Sequence, residues 1–431
     1  MKTKLSPRFW VALTLFSLIG QVAWVVENMY FNVFIYKMFN ASAENISLMV
    51  AASAVAATIT TVFMGALSDR IGKRKLFMCA GYILWGISIV SFAFIKTDTI
   101  NALFPSVVSA ATVGINLVII LDCVMTFFGS TANDAAFNAW VTDSTDSSNR
   151  GSVEGINSMM PLVAILVVFG SFMFFDLEKS SSWTAIFIII GAVVFVIGIL
   201  GIFLIRDPEI KPSKEGYFSN IFYGFKLSTI KENIRLYIAF IAFIIFNISI
   251  QIFMPYLIIY YEKSLGMADY VFIMAPAIIL ASVFTALWGK VYDKRGFRFS
   301  VLLSLTALSL GYIILYLTRS TLPVFIGSLL MMCGYLSGMA VFGAFIRDNT
   351  PEGKAGRLQG IRIFSQVLIP GIIGPSVGAF VLRDAEKILN SDGTESFLPS
   401  ADIFLTALIA ALFILPVLII IFKVCEKNEK I

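Results

Sequence analysis

Two carboxylates, Glu27 and Asp122, stand inside runs of the chain that are otherwise apolar. An ionisable side chain in hydrocarbon costs about 2.5–3.5 kcal/mol even on lenient scales, so each needs a partner or a purpose. Burial disfavours the charged form of a carboxyl, and such a group is equipped to take up and release a proton. The chain has no histidine, so any proton-coupling group must be a carboxylate. At 100° per residue, Gln21, Trp24, Glu27, Asn28, Phe31 and Asn32 fall within an arc of roughly 140°, a polar and aromatic stripe suited to lining a cavity. Glu27 is the sharpest candidate for coupling. The other roles open to it are a structural hydrogen bonder or a group near the outer headgroups.

Further along, Asp122, Gly129, Asn133 and Trp140 line one helical face to within about 40°, while Asp134 and Asn138 point elsewhere. Asp122 is either a deep ligand-binding or coupling carboxylate or, near the outer surface, merely solvated. Trp140 falls near the inner interface, where tryptophan is common. Asn247 and Gln251 lie one turn apart. Neutral amides there suit hydroxyl-rich ligands, and they also join transmembrane helices at about 0.6 kcal/mol each. Gln359, Arg362 and Gln366 share a face, with Arg362 about one turn inside the membrane, where it would snorkel or pair with Glu154 or Asp143. Tyr256, Tyr260 and Tyr261 are expected as an aromatic belt.

The elements that carry these residues are membrane helices. Of 431 residues, 58% are hydrophobic and only 14% charged, against about 25% charged in soluble domains; mean hydropathy is +0.88. Twelve apolar runs are long enough to span a bilayer. They lie near 9–37, 45–68, 76–96, 106–141, 153–175, 183–205, 235–260, 270–291, 300–318, 323–346, 358–383 and 402–423. With both termini cytoplasmic, inner segments hold about 25 of the 32 Lys+Arg, as the positive-inside rule requires. The first run is too long for the core of a cleavable signal and lacks a small-residue cleavage site. The expected organisation is an N-terminal six-helix bundle (1–205), a cytoplasmic linker (206–234) and a C-terminal bundle (235–431). In the linker, Phe218, Ile221, Phe222 and Phe225 recur at i, i+3, i+4 and i+7, the pattern of an amphipathic helix on the inner surface.

Two duplications set the halves in register. Gly65, Asp69 and Gly72 have the Gly-x3-Asp-x2-Gly spacing of Gly289, Asp293 and Gly296, at an offset of 224. Asp143-Ser144-Thr145 precedes Glu154-Gly155-Ile156 by 11 residues, and Asp348-Asn349-Thr350 precedes Gln359-Gly360-Ile361 by the same 11, at an offset of 205. The first half therefore carries about 19 extra residues, expected around 97–114 as an outer-face piece or a lengthened fourth helix.

The block Gly65-Ala66-Leu67-Ser68-Asp69-Arg70-Ile71-Gly72-Lys73-Arg74-Lys75 closely resembles the helix 2–3 loop of the major facilitator superfamily. With the second copy, the resemblance covers essentially the whole chain. It implies an all-α membrane protein of 12 transmembrane helices in two pseudo-symmetric six-helix bundles. In that family the loop aspartate helps close the cytoplasmic side. This places Asp69 near the start of the eleventh helix and Asp293 near the start of the fifth, where a helix N-terminus favours a carboxylate by about 0.3–1 kcal/mol. Asp69, Arg70, Gly65, Gly72, Asp293, Gly289 and Arg362 are the implied gate residues; the bland role of the basic ones is to set topology. The segment from Gly20 to Asn28 is similar to the first helix of sucrose–proton symporters, and Arg347–Lys354 looks like the glycoside–pentoside–hexuronide cation symporters. By the same resemblance Asp122 takes a substrate or coupling role. The second run has no carboxylate before Asp69, unlike sodium-coupled melibiose-type carriers, and the fifth has no arginine.

Other classes fit less well. Gly65 to Gly72-Lys73 lacks P-loop spacing, no nucleophile–base pair or metal cluster is evident in the spans, and the four cysteines suggest no disulfide framework. The net charge of +5 is dispersed over membrane-flanking loops and is no nucleic-acid signal. The expectation is a monomeric secondary transporter of the cell membrane, without cofactor, taking up a sugar or glycoside with a proton rather than sodium. The substrate and coupling residues would be Glu27, Asp122, Gln21, Trp24, Asn28, Asn133, Asn247 and Gln251. A proton-antiport exporter of drugs or metabolites is the alternative, and a non-transporting membrane sensor the lesser one.

Overall fold

The computed structural model describes residues 5–105, 109–146, 149–207, 222–351, 355–390 and 393–428. Its described residues hold 11 helices long and apolar enough to cross a membrane. One of these, Val271–Leu317, has 47 residues; at 1.5 Å per residue that is about 70 Å, twice the need of one crossing. Its backbone breaks at Gly296, with φ 73° and ψ −178°, a region open essentially to glycine alone. The helix is thus two spans, 271–295 and 297–317, and the fold is the twelve-span all-α architecture.

Local signals set the helix ends. Ser6 caps the first span (Pro7–Phe39) by accepting from Phe9 N at 3.2 Å, with Pro7 in the first turn. Asn40, in the left-handed region at φ 51°, closes it. Ser109 caps the fourth span (Ala110–Asp143) in the same way through Thr112 N at 3.3 Å. In the stretch where the extra residues of the first half are expected, a separate short helix, Thr97–Leu103, lies ahead of this 34-residue span, and residues 106–108 lie outside the described residues.

By contact density the chain divides into Met1–Ala41 with Ala52–Ile221, and Ser42–Ala51 with Phe222–Ile431. In the first unit the third span (Arg74–Phe94) and sixth span (Ser180–Leu204) meet backbone to backbone at Gly86 and Gly191, where a Cβ on either would strike the other's carbonyl. Small residues that admit such close approach are how membrane helices gain packing without a hydrophobic drive. In the second unit Gly311 plays the same part against Met331 and Gly327.

Of the expected linker helix, Phe218 and Ile221 lie outside the described residues. Tyr223–Phe225 is a short 3-10 turn, Lys226 is extended, and a separate helix follows at Leu227–Glu232. Phe225 packs edge-on against Phe364 at 5.4 Å. Asp176, in the loop before the sixth span, is held below the usual carboxylate range by its hydrogen bond with Lys179. An antiparallel pair, β1 (Lys387–Leu389) with β2 (Glu395–Phe397), decorates the loop before the last span.

Candidate coupling and substrate site

Glu27 lies in a π-helical stretch of the first span, Val26–Tyr30, a widened turn that recurs at functional sites. It is 6% exposed. Its Oε1 accepts from the Ser53 hydroxyl of the second span (Ala43–Ile71) at 2.7 Å and from the Thr126 hydroxyl of the fourth at 2.9 Å. The two hydroxyls are 3.0 Å apart. Among the described residues Glu27 Oε2 is buried without a hydrogen-bond partner. One helical turn before Thr126 stands Asp122, 2% exposed, whose Oδ1 is likewise buried and unpartnered. Asp122 neighbours Ser53 and is close enough for the Glu27 charge to act on it. Three spans therefore converge on two buried carboxyls bridged by hydroxyls.

A third carboxyl, Asp134, stands further along the same span as Asp122. The fourth span becomes π-helical over Ser130–Phe137, so the 100° step used to place its side chains fails there. Asp134, half-buried, accepts from Ser130 Oγ at 2.9 Å and lies within electrostatic reach of both Glu27 and Tyr82. Among the described residues no lysine or arginine is paired with Glu27, Asp122 or Asp134.

The amides and the indole of the stripe divide by role. Trp24 is half-buried and donates its Nε1 to Asn133 Oδ1 at 3.3 Å; Asn133 in turn donates to Tyr82. Gln21 is half-buried, and Asn28 is exposed, donating to Trp24 O of its own helix at 2.8 Å. Asn247 is buried and donates to Phe243 O at 2.8 Å. Gln251, half-buried, sits where a Cβ on Gly374 would collide with its own Cβ, a helix–helix contact. Trp140 is buried, donates to Arg206 O at 3.0 Å and stacks on Phe9 at 4.9 Å. Tyr256, Tyr260 and Tyr261 depart from the expected belt. All three are fully buried, and Tyr261 bonds the Ser328 hydroxyl.

In the loop between the second and third spans Arg74, one of the basic residues of the Gly65–Lys75 block, is a buried hub. It donates to Asp69 at 2.5 Å, to Asp143 at 3.0 Å and to Ser68. Arg70 is exposed. A Cβ on Gly65 would meet Ala135 at ordinary contact distance, while Gly289 has open space around it. Asp293 and Arg362 are exposed.

The sequence matches the Major Facilitator Superfamily profile over residues 10–375. The chain belongs to the major facilitator superfamily. It is accordingly a multi-pass membrane transporter and not an enzyme. No curated protein matches it. The fold of this major facilitator protein is similar to that of the nucleoside transporter NupG, at 14% identity and TM-score 0.66, over 96% of this chain and 98% of that one. It is similar to a bacterial homolog of the human lysosomal transporter Spinster in an inward-facing, occupied conformation, at 15% identity and TM-score 0.69, over 98% of both chains. It is also similar to the inward-open xylose transporter XylE from E. coli, at 15% identity and TM-score 0.69, over 94% of both. At these identities the likeness is one of fold.

Missing from the expected site were Ser53, Thr126, Asp134, Tyr82 and Arg74. Hydroxyls are frequent in membrane helices and carry no positional signal of their own. Arg74 was hidden among three adjacent basic residues.

Proposed function

We propose that this transporter takes up a sugar or glycoside together with a proton, by alternating access of its two halves around a midplane site. The observation that carries the reading is the Glu27 node: a buried carboxyl with one oxygen bonded by Ser53 and Thr126 and the other unpartnered. Two donating hydroxyls support the carboxylate form, and the unpartnered Oε2 is the place for a proton. Asp122, beside the same Ser53, shares the coupling or binds substrate. Trp24 suits the face of a sugar ring, and Gln21, Asn28, Asn247 and Gln251 suit its hydroxyls. Asp69, Arg70, Gly65, Gly72, Asp293, Gly289 and Arg362 would form the cytoplasmic gate. The proposed kinship is with the glycoside–pentoside–hexuronide and sucrose–proton symporters, and the proposed state a monomer with both termini cytoplasmic.

A second reading is proton antiport of an organic cation. It is favoured by the buried carboxyl oxygens of Glu27 and Asp122 that have no hydrogen-bond partner among the described residues.

The deciding measurement is uptake of radiolabelled mono- and disaccharides into proteoliposomes under a pH gradient, with and without sodium. Wild type is compared with Glu27→Gln and Asp122→Asn. Accumulation that needs the proton gradient, and that Glu27→Gln abolishes, is expected. Sugar binding without accumulation would point to a sensor. Proton release on adding lipophilic cations, with no sugar uptake, would replace symport by antiport.

A further inference from the structure

A hydrogen-bonded chain begins and ends on the first span, passing through two others. The Tyr82 hydroxyl of the third span donates to Phe16 O at 2.6 Å and accepts from Asn133 Nδ2 of the fourth span at 2.7 Å. Asn133 Oδ1 accepts from Trp24 Nε1 at 3.3 Å. The direction is forced at both ends, since a carbonyl only accepts and an indole N–H only donates. Tyr82 and Asn133 are buried while Trp24 is half-buried, so the chain runs from the interior to one partly open ring. Glycines make room for it. A Cβ on Gly20 would overlap the Asn133 amide and the Tyr82 hydroxyl, and one on Gly129 would overlap Trp85 and touch Trp24. Trp85, fully buried, backs the open ring at 5.0 Å between centroids and 47° between planes, and meets Tyr82 edge-on at 5.4 Å.

We propose that Tyr82 and Asn133 are positioning residues that pin the Trp24 indole as a rigid platform for the flat C–H face of the transported ring. The inference rests on the sugar or glycoside reading above and alters one part of it. The Asn133 amide is engaged by protein at both ends, so it acts through Trp24 and is not a ligand to the substrate. An indole held at its nitrogen edge and backed by Trp85 loses little rotamer freedom when a ring settles on it, and that pre-organisation is expressed in affinity. Tyr82→Phe removes the far link with almost no change of shape, leaving Asn133 to hold Trp24 without an anchor of its own.

The test has two arms, both on the full chain. In proteoliposomes, KM and Vmax for proton-driven uptake of radiolabelled methyl glucoside are measured for wild type, Tyr82→Phe, Trp24→Phe and the double variant. In detergent, protein labelled with 5-fluorotryptophan gives a fluorine line for each of its 6 tryptophans, and the Trp24 line is assigned by its loss in Trp24→Phe. Tyr82→Phe is expected to raise KM about three- to ten-fold, the effect of one neutral hydrogen bond, with Vmax within two-fold of wild type. It should shift or broaden the Trp24 line. In the Trp24→Phe background Tyr82→Phe should add nothing further to KM, as coupled residues do. Multiplicative KM effects, or an unchanged Trp24 line, overturn the proposal. If wild type takes up no glycoside, the sugar reading fails and the fluorine line alone decides. A moved line then sustains the positioning role for another flat ligand, and an unmoved one ends it.

Discussion

The two copies of the Gly-x3-Asp-x2-Gly loop share the φ of their closing glycine and differ in what they build around it. Both end on a glycine of positive φ, 72° at Gly72 and 73° at Gly296. In the first copy Arg74, 4% exposed, gathers Asp69, Asp143 and Ser68 around one guanidinium. At the same offset of 224 the second copy has Arg298, which is exposed and lies over the Phe422 ring at 5.1 Å. Ser68 is replaced there by Tyr292, whose phenol donates directly to Asp348 at 2.6 Å. Asp348 is the counterpart of Asp143 at the offset of 205. The corresponding acid is therefore answered by a buried cation in one half and by a hydroxyl in the other. A duplicated turn is held by its backbone requirement, and the chemistry around it is free to diverge.

The largest expected effect separates the copies. Arg74→Met would leave Asp69 and Asp143 facing each other without a cation. It should destabilise the protein by about 2–4 kcal/mol, somewhat under the cost of breaking a fully buried pair because both acids are partly exposed. Arg298→Met should stay within about 0.5 kcal/mol, as surface changes do. Thermal unfolding in detergent measures both, and equal losses would break the comparison. The next effect is the one the copies share. Gly296→Ala should cost about 1–3 kcal/mol and Gly72→Ala about 1–2 kcal/mol. At Gly296 nothing lies within 4 Å of an added Cβ, so the cost there is that of the backbone alone. A neutral result at either glycine would show that the common turn is not what keeps the copies alike. The smallest is Tyr292→Phe, about 0.5–1 kcal/mol for one partly exposed hydrogen bond. A larger loss would mean that the tyrosine has taken over the structural weight of Arg74.

Much of the architecture was legible in the residues. Apolar runs and the charges between them located the spans, because hydrocarbon excludes Asp, Arg and Lys whatever the tertiary fold. The eighth and ninth spans were separable at Lys294-Arg295-Gly296, where the structure has its only non-helical break in Val271–Leu317. The site was legible in its carboxylates and not in their surroundings. The helical step used to place Asp134 does not hold through Ser130–Phe137, where the turn is wider. The tyrosines of the seventh span (Ile234–Ser264) were assigned to a membrane interface, yet their rings pack inside the protein, as Tyr260 does edge-on to Phe404 at 5.2 Å.

By itself the sequence determined a polytopic membrane protein of two related halves, with carboxylates set into the first and fourth spans. Those properties are local: hydropathy accumulates along the chain, and a charge is costly in hydrocarbon wherever it stands. Only the tertiary structure decided that Glu27 meets Ser53, 26 residues away, and Thr126, 99 away. It alone decided that Asn133 serves Trp24 and that Arg74 is buried between two acids. A hydrogen bond is satisfied by whichever helix packs alongside, and no pattern within one helix states which neighbour that will be.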